Sequence, residues 1–541
     1  SGDPFNGGLS GGGSWDVDLN ERYNIHIYNT FKKAGYDIVN SDMLDAYADA
    51  YDAQHKIEGN STMNCFKFPE MEISDEELAD ASADSDTAIY VISRNAGEGT
   101  DRTLKGTKGT YNGESYDIGD YYLTDLEREN LERVAASFKK TIVVLNVGGI
   151  MDTKFYNEIN GLDAMLLMGQ AGQEGGNALL DVLTGAVTPS GKLADTWAEN
   201  YSDYPASDTF ANADGNIKKE VYNEGIYVGY RYFETFSPEK VLYPFGFGLS
   251  YTKFEVKLLS ADENADGITA IATVKNTGAR PGKEVVQLYC TAPQGLLGKP
   301  SKVLCAFAKT KTLNPGESRT LTLTAPWRNF ASYDDSGATG HKSAFVLESG
   351  DYVFRLGTDV RNAAAAFTVT LPLMVVEQQE SAAAPAAAFE RLRPGADGSP
   401  AWEPVPTEVE LPETHRAIRL PKEHPQTGGK GIRLQDVADG KVDMADFVAQ
   451  FSDDELCTIV RGEGMNSPRV TPGTAGAIGG VSDALQLYGL PAACCSDGPS
   501  GIRMDCGTVA FAMPNGTCLA ATFNEELSAE LYSMEGLELR K

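Results

Sequence analysis

Positive charge is scarce in this sequence. Among its 541 residues, 46 are lysine or arginine and 77 are aspartate or glutamate, which gives a formal net charge of −31 at pH 7. A nucleic-acid-binding protein needs a basic face for phosphates, so this class is excluded. The acidic residues are spread along the chain without a block, as on the surface of a soluble protein rather than in an acidic tail.

Histidine is scarce as well, and the cysteines lack the spacing of a metal site. The five histidines are scattered, which argues against a zinc site. The eight cysteines form no C-x-x-C pair, so we expect buried free thiols and, from them, a cytoplasmic protein.

Long apolar runs are also missing. A membrane helix needs about 20 apolar residues, whereas the richest stretch, TIVVLNVGGIM (141–151), is shorter and predicts a buried strand. The opening SGDPFNGGLSGGGS has no basic region followed by an apolar core, so no signal peptide is visible. What the chain does have is glycine, at 56 residues, and a length that predicts three to four domains with many shaped loops.

Strand-like and helix-like runs alternate over residues 80–200. The predicted strands are TAIYVIS (87–93), TIVVLNV (141–147) and AMLLM (164–168). The predicted helices are LTDLERENLERVAASFKK (123–140), which begins with Thr124 and Glu127 at capping-box spacing, and EGGNALLDVLTG (174–185). This alternation is typical of a parallel sheet covered by helices, and predicts an α/β sandwich domain over residues 1–250.

The pattern changes after Tyr251. Short alternating runs separated by turns predict an antiparallel, immunoglobulin-like or fibronectin-III-like β-sandwich over residues 251–375. Residues 376–430 are rich in Ala, Pro, Glu and Gly and predict a linker or a strap across the surface. A further unit, residues 431–541, contains a second capping box at Ser452 and a helix capped at Asn524.

The candidate chemistry lies at the carboxyl ends of the α/β strands, where open parallel sheets bind ligands. The first strand leads into SRNAGEGTDR (93–102), in which Glu98 stands between two glycines. Glycine allows sharp turns and close approach, so this carboxylate can point into a crevice; an ordinary solvated turn is the alternative. A nucleotide site fits poorly, because GEGTDR lacks the third glycine of G-x-G-x-x-G and its carboxylate would repel a pyrophosphate.

Several longer motifs resemble glycoside hydrolase family 3, of the β-glucosidase type. They are SRNAGEGTDR, LMGQAGQEGGNALLDVLTGAVTPSGKLADTW (167–197), YNEGIYVGYRYFE with LYPFGFGLSYTKFEV (222–256), SDGPSGIR (496–503) and PNGTCLAATFN (514–524). The resemblance implies an α/β sandwich, a fibronectin-III-like domain and then a (β/α)8-type barrel, as in members with inverted domain order. A full barrel needs about 250 residues, so residues 431–541 would be only its first part.

The resemblance also implies roles for individual residues. Glu98 matches the general acid/base, and Asp497 matches the aspartate that hydrogen-bonds hydroxyls of the terminal sugar. Ser14, in GGGSWD, aligns loosely with a serine near the sugar, and Arg503 either binds sugar or pairs with a barrel carboxylate. The family's nucleophile is an aspartate in an S-D-W-like motif, and no S-D pair of this chain is followed by Trp. GQEGGNAL and YPFGFGLSYT are expected to be structural.

These matches lead to an expected function. A retaining glycosidase uses one carboxylate as nucleophile and a second, with a raised pKa, as proton donor. We expect hydrolysis of terminal β-D-glucosyl residues, with a β-xylosidase or related pentosidase, and a non-catalytic sugar-binding protein, as the alternatives. No metal or organic cofactor is implied. Asp101 and Glu114 are rival acids. The expected partners are a β-glucoside and the remaining barrel segment, from the same polypeptide or a companion chain, and a homodimer is compatible with this interpretation.

Overall fold

A computed structural model gives the structure of the chain. It describes residues 25, 27–58, 68–94, 103–104, 106, 108–111, 114–117, 119–210, 214–379, 384–385, 387–408, 425–465, 467–504 and 509–540. These residues form an α/β unit up to residue 250, a β-sandwich over 251–379, a β-hairpin within 387–408 and a third unit over 425–540.

The α/β unit contains the alternating elements expected from the sequence. Its helices are α1 Ile27–Lys33, α2 Ser41–Glu58, α3 Asp75–Asp84, α4 Asp125–Ser137, α5 Phe155–Glu158, α6 Gly175–Thr184 and α7 Tyr230–Phe236. Its strands are β1 Thr87–Arg94, β2 Lys108–Tyr111, β3 Glu114–Asp117, β4 Lys140–Val147, β5 Ala164–Leu167, β6 Trp197–Ala198 and β7 Val241–Tyr243. The predicted capping box is present, since Thr124 accepts from Glu127 N at the start of α4.

The central sheet has the order β1-β4-β5 and is parallel throughout. Thr87 pairs with Lys140 and Ile142 with Ala164, so the carboxyl ends of all three strands lie at one edge. β4 is almost entirely buried, as expected for a central parallel strand with helices on both faces. Leu131 and Val134 of α4 pack on this sheet in one apolar cluster.

The sandwich consists of antiparallel strands. They are β8 Phe254–Asn264, β9 Gly267–Asn276, β10 Val285–Thr291, β11 Val303–Lys309, β12 Ser318–Pro326, β13 Ser332–Asp334, β14 Ala344–Leu347, β15 Gly350–Gly357, β16 Ala364–Leu371 and β17 Met374–Gln378. The sheets have the orders β11-β10-β15-β16, β12-β9-β8 and β13-β14-β17. The residues of β9 alternate between buried and less buried positions, because one face of the strand packs on the core. The fibronectin-like fold predicted from this alternation is confirmed.

The segment predicted as a linker or strap contains regular structure. Strands β18 Glu390–Pro394 and β19 Pro400–Pro404 form an antiparallel hairpin. Arg391 forms ion pairs with Asp335 of the sandwich and Glu403 of the hairpin, while Leu392 N donates to Asn223 O of the α/β unit at 2.7 Å. The hairpin therefore spans two units, and the proline-rich composition concealed its strands.

The third unit combines short helices with a small sheet. Its helices are α8 Leu434–Ala438, α9 Met444–Ala449, α10 Asp453–Arg461, α11 Asp483–Leu487, α12 Gly516–Ala521 and α13 Glu525–Glu538. Strands β20 Glu463–Gly464, β21 Gly476–Gly479 and β22 Ala492–Cys495 pair antiparallel. The caps predicted at Ser452 and Asn524 are present. Among the described residues of this unit, no two strands pair in parallel, so the barrel stays a prediction.

The cysteine prediction is only partly correct. All six cysteines in the described ranges are free thiols, and Cys290 and Cys305 are buried in the sandwich. Cys457, Cys494 and Cys495, in contrast, are exposed on the third unit, since the helix and strand that carry them have little packed against them. Across the described residues, no helix is both long and apolar enough to cross a bilayer.

Candidate active site

Three loops leave the sheet at the edge where the parallel strands end. β1 ends at Arg94, β4 at Val147 and β5 at Leu167. Ligands of open parallel sheets bind in the crevice beyond this edge. The candidate active site is therefore the region beyond this edge of the sheet.

The first loop leaves β1 from a buried ion pair. Arg94 and Glu127 are 5% and 1% exposed, and the two guanidinium nitrogens Nη1 and Nη2 donate to the two carboxylate oxygens at 2.9 and 2.8 Å. Arg94 Nε donates to Asp120 O at 2.8 Å. Glu127 also accepts from Thr124 N at 2.8 Å. The buried charges are thus well hydrogen-bonded, as stable buried ion pairs require, and they fix the end of β1 against the start of α4.

The second loop contains a buried acid that was not predicted. Asp152 is 5% exposed, and burial raises its pKa, while the Lys154 backbone N–H and the Lys154 side chain, 4.0 Å away, act in the opposite direction. Its backbone N–H donates to Tyr121 O at 2.8 Å. No sequence motif distinguished Asp152, because its burial depends on a distant segment.

The third loop, residues 168–174, contacts the third unit directly. Asn515 Nδ2 donates to Gln170 Oε1 at 2.8 Å, and both side chains are buried. Gln173 N donates to Ala512 O at 2.9 Å. Gly172 has a φ of +73°, and a Cβ at this position would lie 2.5 Å from the carbonyl carbon of Met513. The GQAGQEGG motif therefore holds two units together, and glycine is required where the backbones meet.

The SDGPSGIR segment forms a tight loop beside this contact. Arg503 N donates to Asp497 O at 2.8 Å, which closes the loop. Asp497 Oδ1 accepts from Gly498 N at 2.9 Å, and among the described residues the carboxylate accepts no second side-chain or backbone hydrogen bond. Met513 N donates to Ser500 O at 2.7 Å. The Asp497 loop is thus connected through residues 512–515 to the loop that follows β5.

The remaining predicted site residues are placed as follows. Glu98, its rival Asp101 and Ser14 lie outside the described residues. Arg503 is half-buried and lies opposite Asp497 in the backbone bridge. Glu114 is exposed on β3, where its carboxylate accepts from Tyr116 Oη at 3.0 Å. Glu114 therefore lacks the burial expected of a proton donor in an enclosed active site.

A junction of all three units was not predicted. Lys309, on β11, donates to Ser190 O of the α/β unit at 3.0 Å and to Thr522 O of the third unit at 2.7 Å. Lys192 pairs with Glu284 at 2.9 Å beside it. Burial first, and the nearby lysines second, lower the pKa of Lys309 to about 8. Its partners are far away in sequence, so no local signal could have revealed them.

Comparison with known proteins assigns the α/β unit and the sandwich to domain families. The model of the glycosyl hydrolase family 3 C-terminal domain matches residues 5–230, and that of the fibronectin type III-like domain matches residues 284–360. A beta-glucosidase from Ruminococcus albus is 46% identical over 505 residues, covering 93% of this chain and 51% of its own. Beta-glucosidase A from Butyrivibrio fibrisolvens is 37% identical over 585 residues, covering 98% and 68%. The crystal structure of a beta-glucosidase from Paenibacillus barengoltzii has a TM-score of 0.87 at 45% identity, covering 98% and 58%.

The chain belongs to glycosyl hydrolase family 3. The resemblance inferred from the motifs is confirmed, as are the α/β and fibronectin-like folds. The chain spans about half the length of the Ruminococcus albus relative and 58% of the Paenibacillus barengoltzii structure.

Proposed function

We propose that this chain is part of a retaining β-glucosidase that releases terminal β-D-glucose from β-glucosides. One observation carries the proposal: residues 512–515 join the loop after β5 to the loop of Asp497. This contact supports the proposal because it connects the loop of Asp497 to the edge of the sheet at which β1, the strand before Glu98, also ends. The relatives described above are all named beta-glucosidases, which supports the choice of sugar.

In the proposed mechanism, Glu98 is the general acid/base. It protonates the departing glycosidic oxygen and then deprotonates the water that releases glucose from a covalent intermediate. The nucleophile is a carboxylate about 5–5.5 Å from the donor in such enzymes, and we assign it to residues of the full-length protein outside this sequence. Asp497 accepts hydrogen bonds from hydroxyls of the terminal sugar through the carboxylate oxygen that its own loop leaves unused.

The exposed surface of the third unit supports the need for additional chain. Helices α10 and α13 bury none of their residues, and all four residues of β22 are exposed. Large exposed apolar patches mark interaction surfaces. We therefore propose that a further segment of the same polypeptide covers this surface and completes the barrel.

The proposed role of Glu98 is tested with Glu98→Ala in the full-length protein. Alkyl β-glucosides need a proton on the departing oxygen, so their turnover is expected to fall by about 10²–10⁴-fold. Nitrophenyl β-glucosides should still form the covalent intermediate, which should accumulate because its hydrolysis needs the base. Azide needs no deprotonation and should restore the second step, giving β-glucosyl azide.

Glu114→Ala is the matched control, since Glu114 is a carboxylate of the same unit that is exposed. It should leave both substrate classes unaffected. Equal slowing of alkyl and nitrophenyl substrates by Glu98→Ala, without azide rescue, would refute the assignment. Faster hydrolysis of nitrophenyl β-xyloside than of the glucoside by the unmodified enzyme would favour the pentosidase alternative, and no turnover of either would favour a sugar-binding protein.

A further inference from the structure

The two residues that flank segment 95–102, Arg94 and Thr103, contact the same short stretch of chain. The first end of the segment is attached to Arg94, whose Nε donates to Asp120 O at 2.8 Å. Its second end is attached to Thr103, whose N–H donates to Asp120 Oδ2 at 2.6 Å. Tyr121 N donates to Thr103 O at 3.4 Å. Asp120 therefore contacts both flanks of the segment, one through its backbone and one through its carboxylate.

The surroundings of Asp120 are rigid and almost free of solvent. Asp120 is 7% exposed, and Tyr121 is fully buried. Arg94 is fixed in turn by its two hydrogen bonds to Glu127, which lies in the first turn of helix α4. A charged hydrogen bond in a buried setting is stronger than a neutral one, so the Asp120 contact is well suited to hold a chain segment in one place.

Gly119 allows this close arrangement. Its φ is +71°, and a Cβ at this position would lie 2.6 Å from Arg94 Nη2 and 3.1 Å from Glu127 Oε2. A side chain at residue 119 would push against the buried ion pair. Glycine is thus needed both for the backbone conformation and for the approach of Asp120 to Arg94.

We propose that Arg94, Gly119, Asp120 and Glu127 are positioning residues for the segment that carries Glu98. This group, which we name the loop anchor, brings the two flanks of segment 95–102 onto one support. The proposal rests on the proposed function, because it assigns the anchor to the placement of the general acid/base. A proton donor must lie within hydrogen-bond reach of the atom it protonates, so the points at which its segment joins the rest of the chain have to be fixed.

The experiment compares Asp120→Ala and Asp120→Asn in the full-length protein. Asparagine keeps an acceptor oxygen for Thr103 N, whereas alanine removes it. Asp125→Asn is the matched control, since Asp125 is a nearby aspartate that is exposed in the first turn of helix α4. Hydrogen–deuterium exchange of peptides covering residues 95–102 is measured first, because it is independent of activity. The amides are expected to exchange about tenfold faster in Asp120→Ala, and less than that in Asp120→Asn.

Kinetics provide the second measurement. Asp120→Ala is expected to lower kcat for alkyl β-glucosides about tenfold more than for nitrophenyl β-glucosides, because only the former depend on the placed proton. Adding Asp120→Ala to Glu98→Ala should then cause little further loss, since the anchor acts through Glu98. The conservative Asp120→Asn should recover part of the activity on alkyl substrates.

The outcomes separate this proposal from the proposed function. Unchanged exchange over residues 95–102 in Asp120→Ala, or an equal loss on both substrate classes, overturns the anchor even where azide rescue confirms Glu98. Faster exchange with no azide rescue of Glu98→Ala instead overturns the acid/base assignment and keeps the anchor as a support of the segment. If Asp120→Ala does not fold, Asp120→Asn is compared with Asp125→Asn by the same two measurements.

Discussion

The fibronectin-like sandwich and the third unit differ in how they bury apolar residues. In the sandwich, β-strands from facing sheets and the 3-10 turn Trp327–Phe330 contribute to one continuous core, in which Phe354 and Tyr352 are almost completely buried. Phe354 stacks on Phe367 with ring centroids 4.8 Å apart and meets Phe330 edge-on at 5.4 Å. This unit covers its own apolar surface.

The third unit leaves much of its apolar surface uncovered. The apolar clusters found among its described residues are small, one around Phe447 and one around Ile502. Val460, Leu487 and Leu537 are 82%, 78% and 60% exposed. Because the hydrophobic effect scales with the apolar area removed from water, this unit gains less stability from its own packing than the sandwich does.

The comparison shows where each unit obtains its stability. The sandwich has a core of its own, whereas the third unit has small clusters and the junctions at Gly172, Asn515 and Lys309. Its open face, the exposed surface of α10, α13 and β22, is the surface that we propose a further segment covers. Substitutions in the sandwich core should therefore lower the free energy of unfolding of this chain. Substitutions on the open face should lower it only in a protein in which that face is covered.

The largest effect is expected in the sandwich core. Phe354→Ala removes a fully buried ring and leaves a cavity, which should lower the free energy of unfolding by about 3–5 kcal/mol. The measurement is urea-induced unfolding followed by fluorescence. Leu259→Ala, at a position 59% exposed on β8, is the control and should change the free energy by less than about 0.5 kcal/mol. Similar losses in both variants would show that the sandwich has no closed core.

An intermediate effect is expected on the open face of the third unit. Leu537→Ala should change the stability of the 541-residue chain by less than about 0.5 kcal/mol, as is usual for exposed positions. In the full-length protein, where we propose that the face is covered, the same substitution should cost about 1–3 kcal/mol. Glu530→Ala, also exposed on α13, is the control in both proteins. A negligible effect of Leu537→Ala in the full-length protein would mean that nothing covers this helix.

Features encoded locally could be predicted from the sequence. The caps at Thr124, Ser452 and Asn524 were predicted because a cap depends on residues three positions apart. The parallel and antiparallel units followed from the period and spacing of apolar residues. The β18–β19 hairpin was missed, because its proline-containing strands show no clear alternation of apolar residues.

The candidate site was predictable only through its motifs. Glu98 and Asp497 were found because their loops resemble those of a family, not because any period or spacing identified them. Asp120 and Asp152 were missed, since their roles depend on contacts with Thr103 and Tyr121 that form only in the folded chain. Sequence motifs therefore supplied the groups that we propose to react, and the structure supplied the buried residues that we propose to position them.

The smallest effect is expected at Lys309, where the sandwich contacts the third unit. Lys309 is charged in the unfolded chain up to its ordinary pKa of 10.5, whereas in the folded protein burial lowers its pKa to about 8. Between these values the unfolded state binds more protons than the folded state, so stability rises with pH in this window. Below about pH 8 both states carry the charge, and the contribution of this group is constant.

Lys309→Met removes the amine and keeps an unbranched apolar side chain at the junction. The stability difference between the unmodified protein and Lys309→Met should therefore shift in favour of the unmodified protein by on the order of 1 kcal/mol between about pH 7 and about pH 9.5, a value reduced for partial solvent screening. Unfolding midpoints at the two pH values provide the measurement, and Lys311→Met, which removes an exposed amine two residues away, is the control. A difference that stays the same at both pH values would show that water reaches the Lys309 amine, and that the third unit is not packed against the sandwich at Thr522.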